Sequence, residues 1–450
     1  MTTPTEPSSA TAAAPTAVSY ARRLGAWDAA MIVVGGVIGS GIFLTPAAIA
    51  RQTGSGTEQL LAWAIGGVLA LIGALCYAEL GARRPAAGGG YVNLREAFGL
   101  VIAFVYGWNL LVVNHSGSIA AVAMVFVQYA AAALGLQVAD ARPYAVGAIV
   151  FLTGINWFGI RAGALTQNIL TVLKLAAVAA LVVVGLVARG APPPTAPAAP
   201  MNPLALGGVL LPVLFAYGGW TYANDIAGEI REPQRNIPRA LFFGMLLVAT
   251  CYLLVNLAYL AVLGHAGLAA SKAPAADLMR NVLGEPGARL IAAGIAISTL
   301  GFCNISLIGA ARVFQAMGAD GVFFRSAGRL HPRWRTPNIA LVVLAGWSCL
   351  LALTGTFDQL LNYSTTGDWL GYAAVVATLF WYRKRGESAP FRAPWYPLLP
   401  LLFLATVLWV VAVTAWQHPG DAGMGALITL AGLPLYFIWR RLPAGRRDTL

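Results

Sequence analysis

Two clusters of glycine interrupt otherwise apolar stretches of this chain, GGVIGSGIF at residues 35–43 and FAYGGWTYAND at residues 215–225. Glycine accepts backbone angles that other residues resist, so each cluster is a place where a helix unwinds at low cost. Unwinding frees N–H and C=O groups that hydrocarbon does not satisfy, and it is tolerated only where the backbone lines a cavity or binds something. Gly35 and Gly39 also have the GxxxG spacing that lets intact helices approach closely. The second cluster, five apolar segments later, weighs toward a matched pair of broken helices around a binding site. A half-helix beginning near Ser40 and Gly41 would present free amides and the positive end of its dipole, which suits a carboxylate. Unwound carbonyls at Val37, Phe215 and Gly218 carry partial negative charge and suit an ammonium group. A site that takes both groups a short distance apart is a site for an α-amino acid.

Ionisable residues inside apolar segments are the next signal, because each is costly there and is a functional hypothesis by default. Lys174 lies deep in one such segment and is the candidate coupling residue, its protonation helping to reset a carrier. Arg312 is expected to pair with an acid such as Glu79 or to extend to the interface. Asp225 and Glu229 are four apart and share a helix face. They are read as part of an inner gate or as partners of Arg231 or Arg235. Thr221 is a candidate substrate contact, and Asn114, His115, Tyr217, Trp220 and Asp225 are candidates for the pocket wall or gate. No acidic residue is evident near the breaks at mid-membrane, which favours neutral over cationic substrates. His265, His331 and His418 are scattered, so no metal site is expected. No GxxxxGK[ST] loop and no HExxH are present, so neither direct use of ATP nor membrane-embedded catalysis is expected, and no cofactor is implied.

The elements that would hold these residues follow from composition. The 450 residues are 58 % apolar and only 10 % charged, against about 25 % charged in soluble domains. The apolar residues fall in blocks of 18 or more, long enough to cross a hydrocarbon core of about 30 Å. Twelve spans are expected, at 26–50, 59–81, 99–134, 143–160, 163–188, 205–229, 238–263, 287–317, 337–354, 359–382, 396–416 and 423–440. The net charge of +12 resides in the loops, not in a nucleic-acid-binding face. Most arginines, among them Arg22, Arg23, Arg83, Arg84, Arg231, Arg235, Arg383 and Arg385, fall on one side, which the positive-inside rule makes cytoplasmic. Both termini are then cytoplasmic in a cell (inner or plasma) membrane. Residues 1–21 read as a disordered tail, and 442–450 as a second tail. The segment 85–98, PAAGGGYVNLREAF, reads as interfacial or re-entrant with Tyr91 and Phe98 at headgroup depth, and 265–286 as a cover over the opposite mouth.

The chain resembles the amino acid–polyamine–organocation superfamily. Four motifs in order carry the likeness: GGVIGSGIF; GGGYVNLREAFG (88–99); FAYGGW followed by EIREPQRNIPRAL (229–241); and ARVFQAMGADGVFF followed by HPRWRTPN (311–338). FAYGGW and QNILTVLK (167–174) are most similar to the L-type amino-acid transporter branch. The resemblance implies an all-α membrane fold in which two inverted five-helix repeats, about 26–188 and 205–382, contain broken helices one and six. Two extra helices follow at about 396–440. It implies carboxylate contacts at Ser40 and Gly41, ammonium contacts at Val37, Phe215 and Gly218, and the Phe215 ring as an outer gate. It implies that Lys174 stands where sodium-coupled relatives hold sodium, hence sodium-independent transport of (neutral) amino acids by exchange or proton coupling. Polyamine or cationic-amine transport, or sensing without transport, are the alternatives. Thr221 replaces an asparagine common in animal members, and Ala319 an arginine common after span eight. No cysteine lies in 135–142, so a disulfide-linked heavy subunit of the animal kind is not expected.

Overall fold

The computed structural model describes residues 19–188, 203–355 and 357–441. The tails expected at 1–21 and 442–450 lie, apart from residues 19–21, outside the described residues. Those described are helical throughout, joined by short turns, with a single parallel bridge between Leu24 and Ile230. Eight helices are long and apolar enough to cross a membrane, and Gly207–Tyr217 and Asn338–Thr354 are shorter apolar helices. With Arg142–Trp157 and Phe357–Lys384 they make up the twelve expected spans in order.

Span one is two helices, Ala26–Val37 and Gly41–Ala50, with Ile38, Gly39 and Ser40 outside regular helix. Span six is likewise broken: Pro203–Tyr217 gives way at Gly218 and a second helical piece begins at Tyr222. Gly219 has φ +108, and a Cβ there would meet the Gly36 carbonyl oxygen at 2.3 Å. A Cβ on Gly41 would lie 3.0 Å from Ala216 Cα. The glycines therefore let the two breaks lie backbone against backbone, the arrangement that the spacing of the two clusters anticipates.

Around this pair the other spans form a scaffold held by buried polar contacts. Asn156 of span four donates to Asn304 of span eight at 2.9 Å, and Asn304 donates to Gln167 of span five at 3.0 Å. Thr171 of span five donates to the Met31 carbonyl of span one. Such bonds between helices are one of the forces left to hold a bundle together in lipid, where apolar association is weak. Span three contains one π-helical turn, Leu110–Asn114, between Leu100–Asn109 and His115–Leu134.

Three expectations are corrected. Residues 89–98 do form a separate short helix, Gly89–Phe98, and Phe98 is exposed, but Tyr91 is fully buried. Its hydroxyl donates to Asp320 at 2.8 Å, which draws it inward from the interface. Arg312 pairs with Glu229, at 3.0 Å and 3.3 Å, instead of with Glu79. Glu79 is taken by Arg83 and Arg383. Glu229 is correspondingly not a partner of Arg231 or Arg235; Arg235 lies 3.7 Å from Glu232.

Gly219→Ala is expected to lower the melting temperature of the purified protein more than Gly355→Ala does. Both glycines have positive φ, where a side chain costs about 1–2 kcal/mol, but Gly355 has nothing within 4 Å of a Cβ. Equal shifts in a thermal melt would argue against the close approach of the two breaks.

Candidate functional site

Satisfying the freed backbone groups determines what surrounds the breaks. The Lys174 ammonium, fully buried, donates to the carbonyls of Gly35 (2.9 Å), Ile38 (2.7 Å) and Ser298 (3.2 Å). Ser298 Oγ is within 3.2 Å of the Ile38 carbonyl and 3.0 Å of the Gly39 carbonyl. The Tyr252 hydroxyl lies 3.0 Å from both the Val37 and the Ala216 carbonyls, and so ties one break to the other. The opposite polarity is left unfilled: among the described residues no backbone acceptor is found for the amides of Ser40 or Gly41 at the start of the second half-helix. Free amides at a helix N-terminus, aided by the dipole, favour an anion.

A cavity of about 300 Å³ lies against these groups. Val37, Ser40, Gly41, Phe215, Gly218 and Asn114 line it. Asn114 ends the π-helical turn, a feature that often marks functional sites. Phe215 is 42 % exposed although it lines the cavity. Thr221, expected to contact substrate, is buried and does not line the cavity, and His115, Tyr217, Trp220 and Asp225 are likewise buried outside its lining. Tyr217 donates to the Trp63 carbonyl at 3.1 Å. Trp220 packs edge-on against Tyr77 and against Trp369 and Tyr372. His115 Nδ1 is 3.5 Å from the Tyr222 hydroxyl, which itself bonds Ser306 Oγ at 2.8 Å.

Toward the arginine-rich end the cavity is closed. Gly88 N–H donates to the Asp225 carbonyl at 2.9 Å, which docks the short helix Gly89–Phe98 under span six. Arg95 and Tyr91 of that helix hold Asp320 at the end of span eight. Beside them, the buried Arg312–Glu229 pair joins span eight to the end of span six. The Tyr20 hydroxyl reaches Gln315 at 3.3 Å, and the amides of Arg23 and Leu24 donate to the Glu229 carbonyl. The segment before span one thus straps the same end.

Several residues at the site escaped the sequence reading. Tyr222, Phe302, Asp368, Trp369 and Tyr372 line the cavity, and Tyr252 and Ser298 support the breaks. Asp368 carried a readable signal, an acid within the apolar span 359–382, and its presence removes the premise on which neutral substrates were favoured. The aromatic residues carried none, because an apolar span contains many such rings.

The amino acid permease family matches residues 24–437. The chain belongs to that family. The permease is 31 % identical over 421 residues to the serine/threonine exchanger SteT of Bacillus subtilis (strain 168), covering 92 % of this chain and 96 % of that one. It is 31 % identical over 437 residues to the human b(0,+)-type amino acid transporter 1, covering 94 % and 89 % of the two chains. It is 30 % identical over 442 residues to the human large neutral amino acids transporter small subunit 2, covering 95 % and 82 %. The permease is therefore a multi-pass membrane protein of the amino acid–polyamine–organocation superfamily near its L-type branch, with the twelve-helix fold that its four motifs imply.

Removing one partner of a buried ion pair strands the other charge. Arg312→Met is accordingly expected to destabilise the permease by about 3–5 kcal/mol, and the double variant Arg312→Met, Glu229→Gln to recover most of the loss. Thermal melts of both variants in detergent check this; a single variant no less stable than the double would remove the pair from the inner closure.

Proposed function

We propose that the permease carries L-amino acids across a cell membrane, without sodium, by alternating access. The observation that carries this reading is that unfilled amides at Ser40 and Gly41 and the carbonyls of the adjoining break line one cavity. The substrate carboxylate would take the amides and the Ser40 hydroxyl. The ammonium would take carbonyls at Val37, Phe215 and Gly218, and Phe215 would cover the substrate from the outer side. Thr221, buried at the start of the second helical piece of span six, would support the pocket from behind.

Lys174 supports sodium independence. Its ammonium already occupies the point where the carbonyls of Gly35, Ile38 and Ser298 converge, and it brings the positive charge that a bound cation would otherwise supply. Protonation and release at that point would couple to movement of span one. Asp225 and the Arg312–Glu229 pair would belong to the inner gate, with Asn114 in the pocket wall and His115, Tyr217 and Trp220 supporting it. The repeats 26–188 and 205–382 would supply the two halves that rock, and helices 396–440 would stand outside them.

The arginine-rich closed end is assigned to the cytoplasm by the positive-inside rule, which puts both termini there in the inner or plasma membrane. The four cysteines, Cys76, Cys251, Cys303 and Cys349, all lie within spans. The permease would then work without a disulfide-linked heavy subunit. Transport, not catalysis, is its activity.

Uptake into proteoliposomes tests the reading. Liposomes preloaded with amino acid should accumulate labelled amino acid faster than empty ones if exchange dominates, and equally fast in sodium and choline buffers. An absolute sodium requirement, or no uptake of any amino acid, would sink it. Lys174→Ala should cut uptake at least about tenfold, equivalent to about 1.4 kcal/mol in the rate-limiting step. Unchanged uptake in that variant would remove Lys174 from the mechanism.

A further inference from the structure

Among the described residues that line the cavity, one has an ionisable side chain, Asp368 on span ten. Among the described residues it has no ion pair and no hydrogen bond, and its Oδ1 is buried without a partner. Of the buried carboxylates, Glu79 is met by two arginines and Glu229 by one, whereas Asp225 likewise has no ion pair among the described residues but does not line the cavity. Nor is Lys174 available, since its ammonium is spent on three carbonyls. A lone carboxylate at membrane depth is strongly penalised unless something compensates its charge. Here the compensating group must come from the cavity, because that is the space the carboxylate faces.

The surroundings choose between a proton and a larger cation. Beside Asp368 the wall is made of Trp369, Tyr372, Tyr222 and Phe302. Trp369 and Tyr372 stand nearly perpendicular, with centroids 5.4 Å apart, and Tyr222 and Phe302 are also edge to face. Such rings offer electron-rich faces that attract ammonium and guanidinium groups. A proton has no use for them. In the reading proposed above the α-ammonium takes the carbonyls of Val37, Phe215 and Gly218, so Asp368 is an additional anionic group at the same cavity.

We infer that Asp368, with the aromatic wall of Trp369, Tyr372, Tyr222 and Phe302, forms a side-chain subsite that selects amino acids ending in an ammonium or guanidinium group. This rests on the amino-acid reading above and specifies its substrate class. The incoming side chain is the counter-ion that Asp368 lacks, and its methylene stem packs on the rings. Removing the charge at Asp368 should then change which amino acid is preferred.

Lysine and norleucine make the comparison, because they differ chiefly by the terminal ammonium. Competition against labelled lysine should show wild-type permease preferring lysine over norleucine at least about tenfold, a difference of about 1.4 kcal/mol. Asp368→Asn should bring the lysine-to-norleucine ratio close to one, and Asp368→Glu should restore part of it. Cadaverine, which has the amines but no carboxylate, separates the two readings. If cadaverine binds and neither amino acid does, the amino-acid reading fails while the cation preference of Asp368 stands. If the wild type takes norleucine as well as lysine, the inference is overturned without any variant. It is overturned equally if Asp368→Asn keeps the lysine preference, or if it changes only the pH profile of uptake, which would make Asp368 a proton carrier.

Discussion

Hydrocarbon offers no hydrogen bonds, and a backbone that leaves the helix within it must find every partner from the protein or from a ligand. Spans one and six both leave the helix, and the rest of the permease is arranged around that debt. The carbonyls of the first break are answered by the Lys174 ammonium and the Ser298 hydroxyl. Tyr252 answers one carbonyl from each break. The glycines at 36 and 219 bring the two unwound strands close enough for these few groups to serve both. What stays unanswered is selective: amides at Ser40 and Gly41, facing a cavity. A fully satisfied break would be a rigid kink, whereas one left with donors toward a cavity is a place for an anion.

The same accounting explains the closed end. Its contacts are ion pairs and a hydrogen bond, and they join different parts of the bundle: Arg312 with Glu229, Arg95 with Asp320, and the Tyr20 strap onto span eight. Contacts of this kind are directional and are lost as a unit when the helices separate, in contrast to apolar packing, which slides. They suit a boundary that has two states. On the other side, the half-exposed Phe215 ring is held by no such contact, consistent with the cavity being reached from there in this conformation.

The fold was legible because it is written in long apolar blocks and in glycine clusters, both of which are local signals. The breaks at 37–41 and 217–222 could be placed within a few residues for the same reason. Lys174 was legible because a lysine in an apolar span has few explanations. Side-chain partners were not, since they depend on which helices become neighbours. Glu79 faces Arg383, 304 residues away in sequence, and Arg312 faces Glu229. Tyr91 shows the same limit: an aromatic residue in a short amphipathic segment reads as interfacial, and only the presence of Asp320 draws it inside. Asp368 was legible in principle, but its importance comes from what is missing around it, and absence of a partner is a property of the folded chain.

The π-helical turn at Leu110–Asn114 has a bearing on how the pocket wall is built. One extra residue in a turn advances the helix by about 100°, since 3.6 residues make a full circle. The part of span three after the turn therefore presents a different stripe from the one its preceding residues would extrapolate to. Ser118, Ala121, Val122 and Val125 are the stripe that reaches the cavity. Their small and branched side chains leave room for a long substrate side chain, while the residues in register with Leu100–Asn109 pack elsewhere. The wall composition is thus set as much by the phase of the helix as by residue identity, and homologous chains that gain or lose this single residue would show the substrate a different set of side chains without altering one of them.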